Sequence, residues 1–357
     1  MRRILSCVVL LGALAAGCSG SSSSDPDVAS VPSACGSSGY DFSKVTARMQ
    51  AAVDGGQLPG IGLVIVDRCG TLYQQAVGNR TVDTASLIAS ATKLTSGTTM
   101  MTLVDAGLIK LDDRIDKHLP YFTDVTGAIT IGQLLAQTHG LPENHPCIPP
   151  PGRENGLTLA ECVEQIARDV VPLRAPNTAC EYAPAVSYHI MGRIAEVVTG
   201  ESWESVWRKR VAEPLMMTKA TFGAVKNPRV GGGISTPLED YAHLMQMHLR
   251  RGEWNGKRVL SEWAADEMQK DRCIGLSNLN LQPNELGYGL TWWIDTKDSA
   301  GAPDRISVGG AFGALPWIKH TRQYAGFWLV FDSLADSQPV WLEVLPLIDE
   351  ALAARKP

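Results

Sequence analysis

At residues 90–93 the chain reads Ser-Ala-Thr-Lys, setting a hydroxyl and an amine at i and i+3, on one face of a helix. A serine hydroxyl is a weak nucleophile until a base takes its proton. A lysine can be that base if burial and nearby positive charge lower its pKa toward neutrality. At a helix N-terminus Ser90 would also offer its own backbone N–H, assisted by the helix dipole, to a developing oxyanion. The chemistry open to the pair is acyl transfer through a serine ester. S-x-x-K is nevertheless a weak signal, because long chains contain it by chance. On the tetrapeptide alone, a surface Ser and Lys on an ordinary helix is the better reading.

Such a pair needs a helix and a scaffold. SATKLTSGTTMMTLVDAGL (90–108) reads as the helix, closing near a glycine. Helical character continues to about Ala220, interrupted by LPENHPCIPPPGREN (141–155). That Pro-rich run cannot be regular structure and is either a wall beside a pocket or a surface excursion. GIGLVIVD (60–67) and TLYQQAVG (71–78) are β-rich runs around Arg68-Cys69-Gly70, a hairpin signal. Strand signals return in GYGLTWWID (287–295), RISVGG (305–310), ALPWIKH (314–320) and YAGFWLVFD (324–332). Residues 338–355 read as a terminal amphipathic helix, and no repeat occurs. Strands at both ends with helices between predict an α/β chain of the α+β type. Its antiparallel sheet, flanked by helices, would come from 41–89 and 230–357, with an all-helical part, 90–229, inserted.

The 357 residues are 45% hydrophobic and 19% charged, a globular composition able to bury a large core. Residues 1–17 stand apart. Arg2 and Arg3 precede an apolar run, Ile4 to Ala16, too short to span a bilayer stably. It ends in LAAGC, which resembles a bacterial lipoprotein signal with Cys18 as the acylated residue. The alternative is a plain secretory signal cut near Ala15. Residues 18–40 are Ser-rich and read as a flexible tether, leaving 41–357 as the folded domain. Loss of 1–17 lowers Lys+Arg from 32 to 30 against 37 acidic residues, a charge of about −7, which argues against nucleic acid as a partner. Cys35, Cys69, Cys147, Cys162, Cys180 and Cys273 then make an even set in an exported chain, so up to three disulfides are expected. Cys35–Cys69, Cys147–Cys162 and Cys180–Cys273 is the expected arrangement, although six cysteines allow 15 pairings and sequence does not choose among them. No CxxC pair suggests zinc, and nothing calls for a metal or cofactor.

Residues 84–120, TASLIASATKLTSGTTMMTLVDAGLIKLDDRIDKHLP, closely resemble the nucleophile segment of the serine β-lactamase-like superfamily. That group holds class C β-lactamases, D-alanyl-D-alanine carboxypeptidases and family VIII esterases. The likeness continues in IGQLLAQTHGLPE (131–143), where His139 replaces the usual Ser, and in GGGISTPLEDYAHLMQMHLRRGEWNGKRVLS (231–261). GYGLTWW (287–293) and GGAFGALPW (309–317) complete it, in family order. The resemblance implies a β-lactamase/penicillin-binding transpeptidase-like fold, with Ser90 as nucleophile and Lys93 as its base.

It also implies a second motif, Y-x-N, at Tyr182 in CEYAPAVSYHIMGRIAEVVTG (180–200). Pro184 replaces Asn there, and one extra residue before Gly192 leaves Tyr188 as a rival, more readily a packing residue. A tyrosine beside a lysine ammonium is expected to have a depressed pKa and to act as base and then acid. The third motif falls on Val308-Gly309-Gly310, whose glycines admit substrate to the backbone, with Ala311 N–H as second oxyanion donor beside Ser90. Val308 brings no charge where β-lactamases and carboxypeptidases help hold a substrate carboxylate. The expectation is therefore a carboxylesterase on small neutral esters, anchored to the bacterial envelope. A β-lactamase or D-alanyl-D-alanine carboxypeptidase is the first alternative, and a non-catalytic envelope binding protein the second.

Other residues fit less demanding roles. No G-x-S-x-G elbow accompanies the seven histidines. His139 and His145 are placed at the pocket mouth, and His243 and His248 on helix surfaces. Asp112 and Asp113 read as capping residues. Of Trp292, Trp293 and Trp317, core packing is the default, and Trp317 is the candidate for a substrate wall.

Overall fold

The computed structural model describes residues 39–279 and 285–354. Residues 1–17, Cys18, Cys35 and most of the expected tether lie outside these. Helix α1 (Ser43–Asp54) leads into the hairpin β1 (Gly60–Asp67) and β2 (Thr71–Gly78), with the boundaries expected from sequence. Its turn is tied by the Asp67 carboxylate, which accepts the N–H groups of Cys69 and Gly70 at 2.7 and 2.9 Å. A 3-10 turn, Ala89–Ala91, opens α2 (Thr92–Asp105). There follow α3 (Leu159–Asp169), β3 (Ala179–Glu181), α4 (Pro184–Thr199), α5 (Leu238–Leu249) and β4 (Ser277–Leu279). The closing run is β5 (Gly287–Tyr288), β6 (Trp293–Lys297), β7 (Pro303–Ser307), β8 (Leu315–Lys319), β9 (Tyr324–Leu329) and α6 (Leu334–Ala353).

The main sheet has seven strands in the order β2-β1-β9-β8-β7-β6-β5, every neighbour antiparallel. β1 pairs with β9, so strands from the two ends of the described chain lie side by side as the second and third of the seven. This is the expected antiparallel sheet, whereas the part expected to be all-helical, 90–229, also holds the short strand β3, drawn into pairing with β4. The unbroken apolar run of β1 follows from burial on both faces. Ile61, Leu63 and Ile65 pack with α1 and α6, whereas Val64 and Val66 join the larger core over α5 and the helical part. The central helix α2 is buried from Thr92 to Leu103, and its small hydroxyl residues suit that crowding. Thr98 and Thr99 return their hydroxyls to the carbonyls of Leu94 and Thr95 at 2.7 and 2.9 Å.

Two further elements depart from expectation. The strand expected over 287–295 is split, because the chain turns inward at Thr291, where φ is 88°. The Thr291 methyl there fills the space that a Cβ on Gly97 of α2 would need. Helix α6 begins at Leu334, four residues early, because Ser333 caps it by accepting the Asp336 N–H at 3.1 Å.

Cys147–Cys162 and Cys180–Cys273 are bridged, with Cα separations of 5.2 and 5.5 Å. The expected partner of Cys69, Cys35, falls outside the described residues. Among those residues no helix is long and apolar enough to cross a membrane.

Candidate active site

Ser90 lies in the 3-10 turn and not in α2 itself, but with three residues per turn the i, i+3 relation to Lys93 still puts both on one side. Lys93 Nζ is 2.8 Å from Ser90 Oγ and donates to the Gly231 carbonyl at 2.8 Å. Its amine is buried, which is the main reason its pKa falls to about 7; Glu143 opposes the fall and Arg229 adds to it. At neutral pH a large fraction is therefore the free base that Ser90 requires. Ala89, just before the serine, has φ 44°, a left-handed conformation costing a non-glycine residue roughly 1–2 kcal/mol. Helical bonding starts only with Ala91 N–H to Ile88 carbonyl, 3.1 Å, so the Ser90 N–H precedes the first bond and has no carbonyl within the turn to pair with.

Tyr182 is brought to this pair from far along the chain. β3, just before it, pairs in parallel with β4, and the Cys180–Cys273 bridge ties the same two segments. Gln137 braces it from the other side, its carbonyl accepting Glu181 N–H at 3.0 Å and its Oε1 accepting Ala183 N–H at 2.9 Å. The Tyr182 ring packs 4.8 Å from Trp293 and 6.1 Å from Tyr288, between centroids, with Lys93 Nζ 5.2 Å from its centre. Pro184 opens α4, where its missing N–H costs no helical bond.

The expected depression of the Tyr182 pKa is not found. Burial raises it well above 10, outweighing the opposing effect of the Ser90 hydroxyl. Tyr182 is thus a phenol at neutral pH, able to donate a proton but not to serve as the resting base. Tyr188, the rival, is fully buried behind Lys93 against Gly231 and lines neither cavity described below.

Two cavities meet at Ser90, Tyr182 and Ala311. One, of about 400 Å³, is lined by Lys93, Glu143, Pro151, Pro184, Arg229 and Phe312 among others. The other, of about 430 Å³, runs between the sheet and α6 and is lined by Trp293, Asp295, Arg305, Ser307, Leu334 and Trp341 among others. Pro151 makes part of the 141–155 run a pocket wall, the first of the two roles open to it. The Cys147–Cys162 bridge fastens that run to α3, and Arg229 donates to its Pro149 carbonyl at 2.9 Å.

Beyond the end of β7, Gly309 and Ala311 face the α6-side cavity. A Cβ on Gly310 would overlap the Ile88 carbonyl, so glycine there lets this segment close on the serine turn. The exposed Ala311 N–H makes no hydrogen bond among the described residues. Val308 alternates away into the core and reaches neither cavity. The charge of the cavity beside Lys93 comes instead from Lys93, Glu143 and Arg229. Sequence reasoning passed over Glu143 and Arg229, although one ends a recognised run (131–143) and the other stands two residues before the next (231–261).

Several expected pocket residues are elsewhere. Trp317 is fully buried on the α6 face of the sheet, over Gly326 and 5.6 Å from Trp341, and Trp341 and Trp293 supply the aromatic wall in its place. His139 is buried, its Nδ1 accepting Leu141 N–H at 2.9 Å, and burial lowers its pKa to about 3. His145 accepts Cys147 N–H at 3.2 Å and neighbours Asp169 at 3.3 Å, away from both cavities. His248 is not on a helix surface but buried, with Nε2 2.8 Å from the Thr98 hydroxyl. His243 is half-buried and bonded to the Leu215 carbonyl at 2.8 Å. Asp113 accepts the Lys110 N–H at 2.9 Å and pairs with Lys117 and His118, a purely local network.

Comparison with known proteins agrees with this architecture. The beta-lactamase family profile matches residues 45–333. Penicillin-binding protein 4 of Amycolatopsis lactamdurans is 34% identical over 189 residues, 49% of this chain and 48% of that protein. The chain thus spans about half the length of that relative. A provisional beta-lactamase from Bacteroides dorei superposes with a TM-score of 0.77 at 29% identity, over 86% of this chain and 98% of that one. A family VIII carboxylesterase superposes at 0.71 with 18% identity, over 87% and 97%, a likeness of fold alone. With the matched span running from α1 past the last strand of the sheet, the chain belongs to the beta-lactamase family.

Proposed function

We propose that the protein is a serine carboxylesterase acting on small esters through an acyl-enzyme, exported and held to the bacterial envelope by a lipid on Cys18. The observation that carries the catalytic reading is the Lys93 amine, buried, 2.8 Å from Ser90 Oγ and with a pKa near 7. Ser90 Oγ attacks the ester carbonyl carbon as its proton passes to Lys93. The N–H groups of Ser90 and Ala311 receive the oxyanion. As the C–O bond breaks, the Tyr182 phenol protonates the departing alkoxide and recovers its proton from the Lys93 ammonium. Water, deprotonated by Lys93, then attacks the acyl carbon; as the bond to Ser90 Oγ breaks, the Lys93 ammonium returns the proton to Oγ and the acid leaves.

The absence of an amide at Pro184, which lines the cavity, supports esters over β-lactams, and the fold likeness to a family VIII carboxylesterase agrees. Two disulfides fit an oxidising compartment. The test is hydrolysis of short-chain p-nitrophenyl esters, with nitrocefin in parallel. Ser90→Ala should lose at least about 10³-fold in kcat/KM. Equal rates for the two proteins would overturn the reading, and faster turnover of nitrocefin than of esters would replace it with a β-lactamase.

A further inference from the structure

The cavity beside Lys93 carries a carboxylate that tunes Lys93 but takes part in no bond-making or proton-transfer step of the acyl transfer. Lys93 is engaged with Ser90 and Gly231. Arg229 packs near Gly232 and spends one N–H on Pro149, tying the wall to the floor. Glu143 differs. Its main-chain carbonyl accepts Ala185 N–H at 3.2 Å, which fixes the residue at the rim. Its carboxylate lines the cavity and makes no hydrogen bond or ion pair among the described residues; desolvation raises its pKa, and the more distant charges of Lys93 and Arg229 only oppose that rise.

In the free protein water meets this carboxylate, which is exposed at the rim. Here a substrate filling the cavity of about 400 Å³ displaces that water. A carboxylate stripped of water costs affinity unless the incoming molecule replaces the lost donors. An ammonium is the smallest group that does so, with opposite charge and up to three N–H donors. In the other cavity Asp295 is already satisfied, accepting from Arg305 at 3.0 Å and from Ser307 at 2.9 Å. Its Leu334 and Trp341 suit an uncharged portion of the substrate.

We propose that Glu143 receives a cationic amino group of the substrate, so that the preferred substrates are esters bearing an amine a few bonds from the scissile carbonyl. This rests on the acyl-enzyme reading above. The test pairs methyl esters of glycine, β-alanine and 4-aminobutyrate with methyl propionate, butyrate and valerate. Dimethylaminoethyl acetate, paired with isoamyl acetate, places the amine on the alcohol side, and monomethyl succinate presents a carboxylate. In a pH-stat at pH 7.5, at least one amino ester should exceed its isostere by about ten-fold in kcat/KM. Glu143→Gln should collapse that ratio toward one, and an effect of the variant common to both members cancels in it.

No amino ester exceeding its isostere, a ratio indifferent to Glu143→Gln, or a preference for monomethyl succinate would each overturn the proposal. The same pairs titrated by proton NMR against Ser90→Ala, with and without Glu143→Gln, read the preference without turnover. If no ester is hydrolysed, the esterase reading fails, and these titrations still decide whether Glu143 selects the amine.

Discussion

The two halves of the proposed catalytic group are built in opposite ways. Ser90 and Lys93 meet because they stand at i and i+3, one in the 3-10 turn and the other in the first turn of the buried helix α2 that it opens. Tyr182 meets them because distant segments converge: Gln137 on one flank, the β3–β4 pairing and the Cys180–Cys273 bridge on the other. A locally encoded pair tolerates changes elsewhere, whereas a group assembled from afar can be displaced without touching any residue of the motif. The electrostatics divide in the same way. Burial moves the Lys93 pKa down into the working range and the Tyr182 pKa up out of it, so one group starts as base and the other as acid.

This contrast is sharpest in Lys93→Met, expected to lose ester turnover by at least about 10³-fold while remaining folded. The folded pKa of Lys93, about 7, lies below the ordinary 10.5, so the unfolded chain holds the extra proton between those values. The cost of burying the amine is therefore full below pH 7 and shrinks as pH rises toward 10.5. Lys93→Met should accordingly melt no lower than wild type at pH 6, with its advantage declining in melts at pH 9. An advantage that grew with pH would break the assignment.

A smaller effect is expected on the assembled half. Replacing Cys180 and Cys273 together by Ala opens a bridge spanning 93 residues, a loss of roughly 2–5 kcal/mol. Ester kcat should fall about ten-fold through Tyr182, while the ascending limb of the pH–rate profile stays near 7, because Lys93 is held independently. A moved limb would show that the halves are not separable.

The smallest effect is a displacement of that limb. Arg229→Met removes a charge that lowers the Lys93 pKa and should shift the limb up by at most about one unit. Glu143→Gln removes one that raises it and should shift the limb down. Shifts of the same sign would contradict the electrostatic account.

Legibility in the sequence followed the same division. The hairpin could be read to the residue, because β1 is apolar on both faces and Arg68-Cys69-Gly70 punctuates it. Ser90 and Lys93 were legible from spacing, and Tyr182 only through resemblance, since nothing local marks it. What failed was what depends on which way a side chain turns. Trp317 and Val308 lie near the site, but strand alternation sends both into cores. His139 and His248 looked available and are buried, with their outward chemistry suppressed. Glu143 and Arg229 belong to the site only because the 141–155 wall folds over it, an arrangement no periodicity announces.

Gly310 has a consequence for how such a protein diversifies. The segment after β7 touches the serine turn at a point with no room for a methyl group. Any substitution there acts as a wedge between this segment and the serine turn, and would move the Ala311 amide proposed to receive the oxyanion. Position 310 is thus closed to the gradual tuning by which a site acquires new preferences. Glu143, at the open rim, carries no such restriction. The lineage can retune what it accepts by editing the rim while the seam stays frozen, which separates the evolution of selectivity from that of chemistry.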